Sequence, residues 1–197
     1  MAGIRESAVD TAEARLRYLE TGQGPALVHL QPAGQWGLTR AHDLLCQRFR
    51  VLAIEVSPDA TASAVALALT KLGIGSFDLL GSSRAGEVAV QLALLAPERV
   101  QALVLESPAR PDRARAADGP TVRLAIPTLV TIGTRDGAGE MTRAFADQIA
   151  DAHRVFVYDA GSAIGEDRPE AFAEVVIDFL ERHEAFVISR ADTVIHP

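Results

Sequence analysis

Along the chain, short apolar runs of strand length alternate with stretches whose apolar positions recur at helical spacing. Arg15 to Glu20 alternates apolar and polar residues, the turn sequence Thr21-Gly22-Gln23-Gly24 follows, and Ala26 to Leu30 is an apolar strand. Thr39 to Phe49 has helical character and leads into Val51 to Val56, which has the composition of a buried strand. Ala62 to Leu72 is a helix stopped by Gly73, since glycine is the usual residue just past a helix end. Phe77 to Leu80 and Gly86 to Leu95 form the next strand and helix, and Ala102 to Leu105 the next strand. Ile126 to Gly133 is a further strand, Met141 to Asp151 a helix, Val155 to Tyr158 a strand and Pro169 to Arg182 the last strong helix. Such alternation predicts an α/β fold in three layers, a mostly parallel sheet with helices on both faces. No repeat or linker divides the chain, so residues 1–197 are expected to form one domain. The polar segment from Ser107 to Ala125 is its least structured part. The tail, residues 186–197, alternates like an edge strand and is expected to pair with the sheet or with a second subunit in a homodimer.

Composition narrows the partners. Hydrophobic residues make up 48% of the 197, which argues against disorder. The net charge of −7 is spread among interspersed acids and bases with no basic stripe, so nucleic acid is not an expected partner. No apolar run approaches the ~20 residues of a membrane span, and the N-terminal residues lack a signal peptide's apolar stretch. A soluble cytoplasmic protein is the expectation. Cys46 is the single cysteine, which rules out an intrachain disulfide and suggests a core thiol. No histidine and carboxylate group has metal-ligand spacing, and no cofactor is implied.

The chemistry concentrates at Gly81-Ser82-Ser83-Arg84-Ala85, between the apolar strand and the helix. A phosphate-binding loop needs a lysine and a hydroxyl after the second glycine. Gly86 is followed by Glu87 and Val88, and a carboxylate there would repel a nucleotide. A dinucleotide fingerprint needs a glycine where Ser83 stands. A nucleophile elbow instead needs a serine at a sharp strand-to-helix turn, with small residues two before and two after it. Gly81 and Ala85 meet that requirement, and a serine that merely occupies a tight turn is the other reading.

With these flanks the chain resembles the α/β-hydrolase superfamily over nearly its whole length. "RLRYLETGQGPALVHLQPAG" resembles the opening strands and the oxyanion loop, and "LGIGSFDLLGSSRAGEVAVQLALLAPERVQALVLESP" resembles the elbow, its helix and the next strand. "IPTLVTIGTRDG" is similar to the strand that delivers the triad acid, and "DAGSAIGEDRPEAFAEVVIDFL" to the histidine loop and final helix. The resemblance implies Ser83 as nucleophile, Asp136 as acid, and the amides of Gln31 and Arg84 as the oxyanion hole. Leu30 and Trp36 would lie at the substrate. It also implies a small-molecule ligand or ester-type substrate.

Three departures bear on activity. The family's loop histidine is replaced by Ser162, while Gly161, Asp167 and Pro169 match around it. The oxyanion loop's glycine is Leu30. Only Ser107 to Ala125 is available where relatives insert a lid, so no cap domain is expected and the pocket should be open and shallow. Arg84, Arg110, Arg113 and Arg115 crowd this region and would either attract an anion or be solvated.

A serine hydroxyl is a poor nucleophile without a neighbour to take its proton. Removing the histidine of a subtilisin-type triad costs about 10⁶-fold in kcat. A replacement would have to come from His29, His42, His153, His183 or His196. His29 belongs to the oxyanion loop, His42 and His183 to helical segments, His153 to the far end of a strand and His196 to the tail. Two readings follow. In one the chain has kept the hydrolase fold with weak or absent conventional activity; in the other it is an active serine hydrolase of small esters or thioesters using an unconventional base.

Overall fold

The computed structural model describes residues 3–109, 121–137, 139–183 and 193–195. In chain order the strands are β1 (Arg5–Asp10), β2 (Arg15–Thr21), β3 (Ala26–Pro32), β4 (Arg50–Val56), β5 (Phe77–Ser82) and β6 (Val100–Glu106). They continue with β7 (Val122–Arg123), β8 (Thr128–Gly133), β9 (Ile149–Ala150), β10 (His153–Val157) and β11 (Thr193–Ile195). The helices are α1 (Arg40–Leu45), α2 (Ala62–Lys71), α3 (Ala85–Leu95), α4 (Gly139–Asp147), α5 (Ile164–Asp167) and α6 (Pro169–Arg182).

Nine strands form one sheet in the order β1-β2-β4-β3-β5-β6-β8-β10-β11, and β7 and β9 pair separately. The pairs β1–β2 and β2–β4 are antiparallel, and every other pair in the large sheet is parallel. The central strands carry near-continuous Val, Leu and Ile because helices cover both faces. On one face α2, α3 and α4 bury Val65, Leu69, Ala89, Leu92 and Phe145 against Val28, Leu30, Leu79 and Leu103. On the other α1, α5 and α6 bury Leu45, Ile164, Phe172, Val176 and Phe179 against Leu27, Leu80, Val104 and Val155. This is the expected three-layer α/β architecture.

Connectivity places the site. From β3 the chain crosses by α1 to β4 on one side, then returns by α2 to β5 on the other side of β3. The strand order therefore reverses between β3 and β5, and the carboxyl ends of such a pair leave a crevice where ligands bind in open α/β sheets.

The strands depart from expectation mainly at their ends. β1 was not foreseen, because only Val9 of its six residues is buried and an edge strand this polar has no apolar alternation to read. β3 runs on to Pro32, so His29 to Pro32 lie in the sheet, register-paired with Ala53 to Val56. The helix expected over Thr39 to Phe49 is confined to Arg40–Leu45. Cys46, just past it, is half-buried, its thiol donating to the Asp43 carbonyl at 3.3 Å. β11 lies at the sheet edge, parallel to β10. His196, Arg110, Arg113 and Arg115 fall outside the described residues.

Candidate active site

The elbow is built by strain and close approach. Ser83 follows β5 with φ of +50°, a backbone conformation that costs a non-glycine residue about 1–3 kcal/mol and tends to occur at functional sites. Its amide donates to the Glu106 carbonyl at 2.9 Å, and its carbonyl accepts from the amides of Gly86 and Ala109 at 3.1 and 3.0 Å. Gly81 is required because a Cβ there would meet the Ala89 Cβ at 2.6 Å and the Gly86 Cα at 3.0 Å. Strand and helix therefore approach closely enough to hold the Ser83 turn.

A cavity of about 440 Å³ opens in front of this turn at the carboxyl ends of β3 and β5. Its volume lies within the range of small-molecule sites. Ser82, Ser83, Ser162, Gln31, Trp36 and Phe172 line it, together with His29, His42, Glu106 and Glu166. Among the described residues no lysine or arginine lines it.

Behind the cavity wall runs a chain of short hydrogen bonds whose direction can be assigned. The Thr39 amide can only donate, and it donates to His42 Nδ1 at 2.9 Å, with the Thr39 hydroxyl 3.0 Å from the same nitrogen. Neutral His42 therefore carries its proton on Nε2 and donates to His29 Nδ1, 2.8 Å away. That leaves the His29 proton on Nε2, donating to Ser82 Oγ at 2.6 Å. The Ser82 hydroxyl then donates to Glu106 Oε2 at 2.5 Å, and the Gly165 amide donates to Glu106 Oε1 at 2.7 Å. Every donor points towards the carboxyl group.

Burial sets the charge states. It holds His29 well below the ordinary imidazole value, with His42 adding to the effect. His42 is brought down to about 4, again by burial, against the opposing pull of Asp43. Both rings are therefore neutral near pH 7. Burial pushes the Glu106 carboxyl up, while the Ser82 hydroxyl and Gly165 amide oppose that, Glu166 adds to the rise and the Ile164 backbone lowers it. The donor geometry suits an ionised carboxylate and the desolvation suits a protonated one. The upward direction prevails, since among the described residues no cationic side chain lines the site to offset the burial.

The expected site residues divide into two groups. Ser83, Ser162, Gln31 and Trp36 come together around the cavity. Ser162 is exposed on the loop before α5. The Gln31 side chain is tied to Gly37, accepting from its amide at 3.1 Å and donating to its carbonyl at 3.0 Å, so it fixes the turn that carries Trp36. The Trp36 indole donates to the Ala53 carbonyl at 3.0 Å, and the Arg17 guanidinium sits 4.5 Å from the centre of its ring. Leu30, Arg84 and Asp136 are not on the wall. Leu30 is fully buried in the core beneath α2 and α3, because alternation along β3 sends it to the face opposite His29 and Gln31. The exposed Arg84 side chain lines a separate cavity of about 330 Å³ with Glu87 and Gln91. Asp136 follows β8 and accepts from the Thr142 hydroxyl at 3.1 Å.

Ser82, His42 and Glu106 were not foreseen as one network. The Thr39-x-x-His42 spacing is that of a capping box, with an imidazole in place of the usual Glu or Gln, and Glu106 closes an apolar strand. Those were the available signals, and neither reveals a contact across 24 or 53 residues. Among the described residues no group of three histidine, cysteine or carboxylate side chains could hold a metal. No described helix is long and apolar enough to cross a membrane.

Solved structures share this architecture. The chain superposes on carboxylesterase CesB from Bacillus subtilis with a TM-score of 0.72 and 17% identity, covering 90% of this chain and 92% of that one. A thermophilic esterase from Thermogutta terrifontis gives 0.72 and 18%, covering 90% and 98%. A serine hydrolase involved in carbazole degradation gives 0.70 and 20%, covering 91% and 99%. No family model matches the sequence, and no curated protein sequence matches it. The fold is that of the α/β hydrolases.

Proposed function

We propose that this protein descends from serine ester or thioester hydrolases and now has weak or absent conventional hydrolase activity. In this reading Ser83 is the retained nucleophile, Asp136 the retained acid, and Ser162 stands where the base stood. The Gln31 and Arg84 amides are the remaining oxyanion donors. The observation that carries it is the direction of the hydrogen-bond chain. Both imidazoles on the cavity wall have both ring nitrogens engaged, and His29 Nε2 already bears a proton. An imidazole in that state accepts no proton from a serine hydroxyl. The Thr39 amide blocks the reverse arrangement, which would put a proton on His42 Nδ1.

A second reading, an active hydrolase of small esters with an unconventional base, is favoured by the strain kept at Ser83 and by the esterases among the structural neighbours. Turnover of short-chain p-nitrophenyl esters by the wild-type protein, Ser83→Ala and Ser162→His separates the two. Wild-type turnover no higher than that of Ser83→Ala, with activity gained in Ser162→His, supports the first. Wild-type turnover that Ser83→Ala abolishes establishes the second. A protein that dimerises through residues 186–197 would show a concentration-dependent mass in sedimentation that truncation of the tail removes.

A further inference from the structure

Glu106 is the feature that the hydrolase reading leaves unused. Its side chain lies at the carboxyl end of β6, with the residue only 6% exposed, and it lines the cavity in front of Ser83. Both carboxyl oxygens are met by neutral donors, the Ser82 hydroxyl and the Gly165 amide. Buried carboxylates are ordinarily paired with a cation, because neutral hydrogen bonds recover only part of the lost hydration. Here Glu106 takes part in none of the ion pairs among the described residues.

Among the described residues the cavity wall does not supply that cation. The titratable groups sharing the cavity wall are His29 from β3, His42 from α1 and Glu166 from α5. The two imidazoles are held neutral, and Glu166 adds negative charge. The neighbouring strands present Ser82 from β5 and Thr131 from β8, neither of which ionises here. The walls include the aromatic rings of Phe172 and of Trp36, which the Arg17 guanidinium already meets on its ring, and these surfaces suit an apolar body. Of the arginines expected to draw an anion, Arg110, Arg113 and Arg115 fall outside the described residues. Arg84 lines the other cavity.

We propose that the Ser83 cavity binds a small organic cation, an ammonium or amidinium group on an apolar body, with its charge set against Glu106. This names the ligand class of the site whose hydrolytic history was proposed above and rests on that site being the functional one. It requires no turnover. The ligand supplies the counter-charge to the Glu106 carboxylate, and Trp36 and Phe172 contact the apolar body.

The test compares three probes of one shape, benzylammonium, benzyl alcohol and phenylacetate, by titration calorimetry and by the fluorescence of Trp36, the only tryptophan. Benzylammonium is expected to bind roughly tenfold or more tightly than either of the others, the scale of a charge-assisted hydrogen bond. Its affinity should fall as the pH is lowered and Glu106 takes up a proton, and Glu106→Gln should remove the preference. Equal or tighter binding of the alcohol or the anion overturns the proposal, as does binding of none of the three. A preference that survives in Glu106→Gln also overturns it. If that variant does not fold, the charge preference and its pH dependence in the wild-type protein decide alone. The result is independent of ester turnover, so failure here leaves the hydrolase reading standing, and the reverse holds too.

Discussion

Replacing His42 with leucine tests the hydrogen-bond chain most directly. The substitution keeps an apolar body of similar bulk but leaves the Thr39 amide and His29 Nδ1 without their partner. Orphaning buried polar groups costs about 1–3 kcal/mol, so the variant should be less stable by that amount at neutral pH. The deficit should then shrink in acid. His42 has an ordinary value of 6.5 and a folded value of about 4, so the unfolded chain takes up the proton first. Its contribution to stability is therefore complete above the unfolded value and is lost as pH falls towards the folded one. Over about 2.5 pH units at 1.36 kcal/mol each, that loss is roughly 3 kcal/mol. Asp78, raised to about 6 chiefly by burial, and the raised Glu106 carboxyl act in the opposite sense, favouring the fold as pH drops. Both are present in the wild-type protein and the variant, so the difference between the two removes them. Urea unfolding followed by Trp36 fluorescence at stepped pH gives the two stability curves. Their gap should close between about pH 6.5 and about pH 4. Parallel curves would refute the burial of a neutral His42. Nitrogen-15 spectra of the imidazoles supply an independent check, since both rings should carry the proton on Nε2. A proton on His42 Nδ1 would reverse the assigned direction and reopen His29 as a base.

Two further outcomes follow from the backbone. Ser83→Gly should stabilise the fold by about 1 kcal/mol in denaturant unfolding, because glycine accepts the positive φ of the elbow without strain. A loss of stability would mean that the hydroxyl contributes more than the turn costs. Gly133→Ala should destabilise by more than about 2 kcal/mol, since its Cβ would run into the carbonyl oxygens of Gly161 and Ala160. The same change should alter the ligand and esterase readouts, because the displaced loop carries Ser162; a variant with wild-type stability would show that this contact is not tight in solution.

Much of the fold was legible in the sequence because local rules agree with the global arrangement there. Phe77 to Leu80 is apolar on both faces since helices cover both sides of the sheet, and the bulk limit at Gly81 and Ala85 belongs to the elbow itself. Pro169–Arg182 was read to its ends from proline at its first turn and an apolar stripe. Ser83 and Ser162 line one cavity, an arrangement that the family resemblance implied rather than any local rule. Strand ends were less visible, as β1 shows: a polar edge strand gains its place from hydrogen bonds to β2, which leave no mark in hydropathy.

What the sequence could not reveal was the buried polar chain and the sign of the cavity. Thr39, His42, His29, Ser82 and Glu106 come from four elements, and each alone has an ordinary reading as a cap, a helical residue or a strand end. Only the reversal of strand order between β3 and β5 sets these side chains within hydrogen-bond distance. Only burial then makes the imidazoles neutral, and among the described residues Glu106 has no counter-charge. In the same way Leu30 was turned into the core and Arg84 into another cavity by side-chain direction, which depends on pleat and helix packing. The sequence determined which residues could react; the tertiary structure decided which of them meet, because charge state and proton direction are properties of the assembled surroundings.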